Sequence, residues 1–176
     1  MKTLDLHIID IVHNSIRAKA NEILIEIKDL KKDNFVDLLI QDNGSGISPE
    51  KLVEIQESFY SSRKERKIGM GLALLKYHAE ICDGKFEITS ELGKGTKVFA
   101  SFVRNHIDRQ PLGDIAGTIA TFICQYSDIN FIFRYHIDND MFEISTEDIK
   151  SVFEDVDLNN FTIISSIKEL IFNSIN

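Results

Sequence analysis

The chain has 176 residues, 43% of them apolar and 27% charged, with a formal net charge of −8. That length fits one domain, or one domain with an appendage, around a sizeable core. An acidic chain without a basic stripe argues against nucleic acid as the main ligand, and the apolar runs are too short to span a bilayer.

Cys82 and Cys124 form no C-x-x-C pair, so neither a metal cluster nor a disulfide framework is expected. The N-terminus has no signal-peptide pattern, and the expected compartment is a reducing cytoplasm.

Residues 3–18 have helical spacing, with Ile9, Val12 and Ile16 on one face. "EILIEIK" (22–28) and "FVDLLIQ" (35–41) alternate as strands joined by a polar turn. Pro49 suits the first turn of a helix capped by Ser48 and running to about Ser58. A basic polar loop, "SSRKERK", precedes a helix from about Leu72 to Cys82 that stops at Gly84. "KFEITSE" (85–91), the Gly-rich turn "LGKGT" and "KVFASFV" (97–103) form a hairpin. The order α-β-β-α-α-β-β predicts an antiparallel sheet with helices on one face.

Two composition shifts put a boundary near Arg104. Residues 1–103 carry 15 Lys+Arg against 16 Asp+Glu, whereas residues 104–176 carry 5 against 12. Seven of the nine glycines lie between Gly44 and Gly95. Beyond the boundary, residues 111–126 give a helical stripe of Ile115, Ile119, Phe122 and Ile123. A hairpin turns at Asp138–Asp140, Ser145 and Asp148 form a capping-box pattern, and Ile164, Ile167, Ile171 and Ile175 recur at helical spacing. The organisation expected is therefore residues 1–103 as one unit and residues 104–176 as an acidic α+β appendage.

Four short motifs punctuate the first unit: "DIVHNSIRA", "DNGSGI", "GMGL" and "GKGT". Their key positions, 14, 42, 69 and 96, are 28, 27 and 27 residues apart. Each has an ordinary reading alone: a solvated helix face, turn chemistry, a Gly-rich hinge and a strand residue. Together, and in this order, they resemble the ATP-binding unit of the GHKL superfamily (Bergerat fold), which is shared by gyrase-type topoisomerases, MutL repair proteins, sensor histidine kinases and anti-sigma-factor kinases. The resemblance covers residues 3–103 and is not read beyond them. The first motif looks most like MutL, and "GMGLALLKYHAEICDG" looks most like a histidine kinase. It implies a two-layer α/β sandwich of the α+β class, with helices on one face of a mostly antiparallel sheet.

The resemblance also implies roles. Asn14 would give an oxygen ligand to Mg²⁺, and Asp10, one turn earlier, would stand where hydrolytic relatives carry a general base. Those relatives usually have Glu there, one methylene longer. Arg17 would reach phosphate. Asp42 would accept from adenine's exocyclic amine, where guanine presents a carbonyl. Gly44 and Gly46 would let the backbone approach the base, with Ile47 as an apolar wall. Gly69, Met70, Gly71 and Leu72 would open a helix whose amides receive the triphosphate. Lys64 and Lys67, with Arg63 and Arg66, would sit in a lid at 58–68, although such charge runs usually serve solvation. The Thr96 hydroxyl would back Asp42.

The histidines His7, His13, His78, His106 and His136 lack metal-ligand spacing and are assigned packing or surface roles. Two functions are expected from this reading. In one, the chain is a stand-alone Mg²⁺–ATP protein that acts as a protein kinase in trans or as a slow ATPase. In the other, it is an ATP-gated module whose tail docks a partner protein without chemistry. A protein partner is expected in both, nucleic acid and membrane in neither, and a homodimer through the 111–126 helix stays open.

Overall fold

The computed structural model describes residues 1–58, 70–153 and 158–176, and of Ser58 and Met70 the backbone only. In chain order the elements are α1 (Leu4–Arg17), β1 (Glu22–Leu30), β2 (Phe35–Asp42), α2 (Pro49–Ser58), α3 (Met70–Ile81), β3 (Lys85–Glu91) and β4 (Gly95–Val103). They are followed by α4 (Ile115–Gln125), β5 (Asn130–Ile137), β6 (Asp140–Ser145), α5 (Thr146–Val152) and α6 (Phe161–Ile175).

The six strands form one sheet in the order β3-β4-β2-β1-β5-β6. All neighbours pair antiparallel except β1 and β5, which run parallel from Glu22↔Asn130 to Asp29↔Ile137. Period-2 alternation puts one face of the strands inside: Ile23, Ile25 and Ile27 on β1, Val36, Leu38 and Ile40 on β2, Val98, Ala100 and Phe102 on β4, and Phe131, Phe133 and Tyr135 on β5. This is the expected two-layer α+β sandwich. Its sheet does not stop at residue 104, however, because β5 and β6 extend it and one hydrophobic cluster runs from Leu4 to Ile171.

Helix α1 lies on the sheet through Leu4, Ile8, Ile11 and Ser15 rather than through the expected Ile9–Val12–Ile16 stripe, and of that trio only Val12 is fully buried. Ile9 and Ile16 pack at the margin of the core. The reason is a second neighbour: α4 covers a flank of α1, where the His13 and Phe122 rings meet edge to face at 6.0 Å. With these flanks occupied, Asn14 and Arg17 are left exposed and Asp10, on the same stripe, is half-buried.

The tail elements form where the sequence puts them. Asp114 caps α4 by accepting from the Gly117 amide at 3.0 Å, and the Ser145–Asp148 capping box is complete. On α6 the buried stripe is Ile163, Ile167 and Ile171, so Ile164 and Ile175 are only half-covered.

Candidate functional site

The carboxyl end of β2 is where the separated motifs meet. Asp42 is its last residue, opposite Ile23 on β1 and Thr96 on β4. Its Oδ1 accepts from the Gly44 amide at 2.9 Å and the Thr96 amide at 3.3 Å, and its Oδ2 accepts from the Ser15 hydroxyl at 2.6 Å. Three donors, each from a different motif, hold this carboxylate. The Thr96 hydroxyl does not back Asp42 as expected: it pairs with Ser90 Oγ at 2.9 Å. The hydroxyl against Asp42 is that of Ser15.

The loop after Asp42 is tied on both sides. Asn43 accepts through Oδ1 from the amides of Asn21 and Glu22, both at 3.0 Å, and the Ser45 amide donates to the Ala18 carbonyl at 2.9 Å. Across the loop, the Gly93 amide donates to Ser45 O at 2.8 Å, and the Ile47 amide donates to Ser90 Oγ at 2.9 Å.

The close approach explains the glycines. A Cβ at Gly44 would come within 2.9 Å of Ala18. Gly46, at φ +67°, and Gly95, at φ +114°, combine left-handed backbone with overlap of a neighbouring carbonyl, that of Glu91 and Asp42 respectively. Ile47 is half-buried at the core margin. A depression of about 180 Å³ opens beside Asp42, Ser90, Gly95 and Thr96.

The second half of the arrangement joins α1 to the start of α3. A Cβ at Gly71 would overlap the Asp10 carboxylate where it now lies, so the first turn of α3 packs directly against that side chain. Asn14, one turn along, is exposed and has no side-chain partner among the described residues. Arg17 Nε donates to the His13 carbonyl at 3.2 Å. Leu72 is 8% exposed and its side chain belongs to the core. Lys64, Lys67 and Gly69 lie outside the described residues, as does the Met70 side chain.

Behind α3 lies a polar cluster that the sequence reading did not assemble. His7 is fully buried, and its Nε2 donates to Gln110 Oε1 at 3.0 Å. Gln110 Nε2 in turn donates to the Met1 carbonyl at 2.7 Å and to His78 Nε2 at 3.2 Å. Burial pushes the His7 imidazole down to about 4, and also lowers His78. Ser15, Ser90 and Gln110 were all missed, since a lone hydroxyl or amide gives no spacing signal.

Residues 2–107 match the sequence family described as histidine kinase-, DNA gyrase B-, and HSP90-like ATPase, which is more than half of the chain. The chain belongs to that family. Among curated relatives of this ATPase-family chain, sporulation kinase C of Bacillus subtilis is 34% identical over 88 residues, 50% of this chain and 20% of that protein. Sensor protein SrrB of Staphylococcus aureus is 31% identical over 103 residues, 54% of this chain and 17% of that protein. The chain thus spans about a fifth of the length of the curated relatives it matches.

The N-terminal domain of a DNA repair protein has a similar fold, with a TM-score of 0.61 at 21% identity, covering 87% of this chain and 57% of that one. The MutL ATPase domain of Aquifex aeolicus, complexed with ADP, gives 0.57 at 14% identity, covering 88% and 70%. Coverage of that extent exceeds what residues 1–107 can supply. The likeness of fold therefore reaches into the tail, where the sequence resemblance was not expected to go.

Proposed function

We propose that this ATPase-family chain binds Mg²⁺–ATP between α1, the β2–α2 loop and the start of α3, and passes the γ-phosphoryl group to a partner protein or, slowly, to water. The observation that carries the reading is the Asp42 carboxylate. A carboxylate offers about four lone-pair positions, and amide and hydroxyl donors take three of them. Among the described residues one acceptor position is left, beside the loop whose glycines bring the backbone close, which suits the exocyclic amine of adenine.

The residues present fit the rest of the ligand. Asn14 offers a hard amide oxygen on the open stripe of α1, with Asp10 one turn away and Arg17 beyond it, and Mg²⁺ takes only one or two protein ligands while keeping its waters. Bound there, the ion would neutralise phosphate charge. Asn14 would hold it, Arg17 would pair with phosphate oxygens, and the amides of Gly71 and Leu72 at the start of α3 would receive the phosphate chain, with Lys64, Lys67 and Gly69, outside the described residues, proposed as further phosphate contacts. The identity shared with a sporulation kinase supports phosphoryl transfer.

One observation favours a second reading, nucleotide-gated docking of a partner without chemistry: the short Asp10 side chain packs against Gly71, which limits its reach to a water beyond the phosphate. No helix among the described residues is long and apolar enough to cross a membrane.

Calorimetry with ATP, ADP and GTP, with and without Mg²⁺, tests the binding. The reading requires adenine selectivity and a magnesium-dependent gain for ATP. Incubation with γ-labelled ATP and cell extract separates the two functions, since label on a protein supports transfer and unconverted ATP supports gating.

A further inference from the structure

We infer that Ser15 is the positioning residue for base recognition, holding Asp42 as an obligate acceptor and joining the base end of the site to the helix that carries Asn14. The inference rests on the proposed nucleotide site and names a determinant of its specificity. Ser15 is 2% exposed, so water does not compete for its hydroxyl. That hydroxyl has one proton and two possible acceptors, Asp42 Oδ2 at 2.6 Å and the Ile11 carbonyl at 3.4 Å. Hydroxyl hydrogen bonds cluster at 2.5–3.0 Å and are shortest to carboxylates, so the proton belongs to Asp42.

The consequence follows from counting donors. Oδ1 is filled by the Gly44 and Thr96 amides. Oδ2 is half-filled by Ser15, and among the described residues its remaining lone pair is the one left to a ligand. A carboxylate offers acceptor positions alone, so a carbonyl oxygen placed at that lone pair meets no donor. The pair therefore accepts an amine and rejects an oxo group, and Ser15 fixes the direction of the accepting lone pair. Without it, the second carboxylate oxygen loses its donor and is free to turn.

Ser15 follows Asn14 directly, so the residue that sets the base and the residue proposed for the metal share one turn of α1. Their contributions separate by ligand. A hydrogen bond to a charged group is worth about 1.5–3 kcal/mol, a factor of roughly 10 to 150. Ser15→Ala is expected to weaken AMP, ADP and ATP alike by that factor, with or without Mg²⁺, and to narrow the preference for ATP over GTP. Ser15→Thr, which keeps the hydroxyl, is expected to restore both. Asn14→Ala, by contrast, removes only the magnesium-dependent gain for ATP.

Calorimetric titration of the four chains with each nucleotide decides it. A Ser15→Ala chain that binds and discriminates like the parent, or that loses affinity only for Mg²⁺–ATP, overturns the inference and leaves the proposed function standing. A parent that binds no adenine nucleotide ends both.

Discussion

Asp42 shows how much of the site hangs on single polar atoms. Exchanging its carboxylate for an amide puts a donor among three donors, or turns the amide so that the open position no longer accepts. Asp42→Asn is therefore expected to lower ATP affinity by about 100-fold or more while the melting curve stays cooperative. Parent-like binding in a fluorescence titration would refute the contact. The carboxylate itself was legible in the sequence, because D-x-G-x-G after an apolar strand is a patterned signal. Its partner Ser15 was not, since a separation of 27 positions leaves no local trace.

His7 makes a separate prediction at this scale. Its folded imidazole refuses a proton until about pH 4, whereas an unfolded one takes it near 6.5. The unfolded chain then binds the extra proton, so stability is full above pH 6.5 and falls as the pH drops towards 4. Urea midpoints measured from pH 7 to pH 4.5 should fall less steeply in His7→Gln than in the parent. Equal slopes would contradict a buried neutral His7.

At the scale of elements, helix α1 explains both what was read correctly and what was not. Its existence and ends followed from periodicity, but three apolar positions fitted more than one face, and the choice depended on α4 arriving from more than a hundred residues away. Exposed Asn14 and Arg17, with half-buried Asp10 behind them, are what the covered flanks leave over. The strand ends are equally constrained. Gly95 opens β4 at φ +114°, with the space of its missing Cβ filled by the Asp42 carbonyl. Gly95→Ala forces an L-residue into that backbone and displaces the end of β2, at a cost of about 3 kcal/mol. The denaturant midpoint should drop accordingly, with nucleotide affinity falling in the same variant. An unchanged midpoint would mean the turn relaxes without disturbing Asp42.

For the whole molecule, the composition break at Arg104 coincides with the end of the family match at residue 107 but not with an edge of the sheet. Charge and glycine content report on the surface and on turns. Strand order is decided by pairing across the core, and the parallel alignment of β5 with β1 has no local signature. Removing everything after residue 107 would bare the β1 edge and strip away the fully buried Ile119, Ile123, Phe131 and Phe133. The truncated chain is expected to lose cooperative melting, and a sharp transition with dispersed amide signals would show instead that the first unit stands alone. The central claim, that separated motifs form one nucleotide site, is tested most directly by following backbone amide signals of the intact protein during titration with Mg²⁺–ATP. The account predicts saturable shifts at Asn14, Ser15, Gly44, Ile47, Gly71 and Thr96, with β6 and α5 unmoved. Saturation with those six signals in place, or shifts gathered elsewhere, would contradict it.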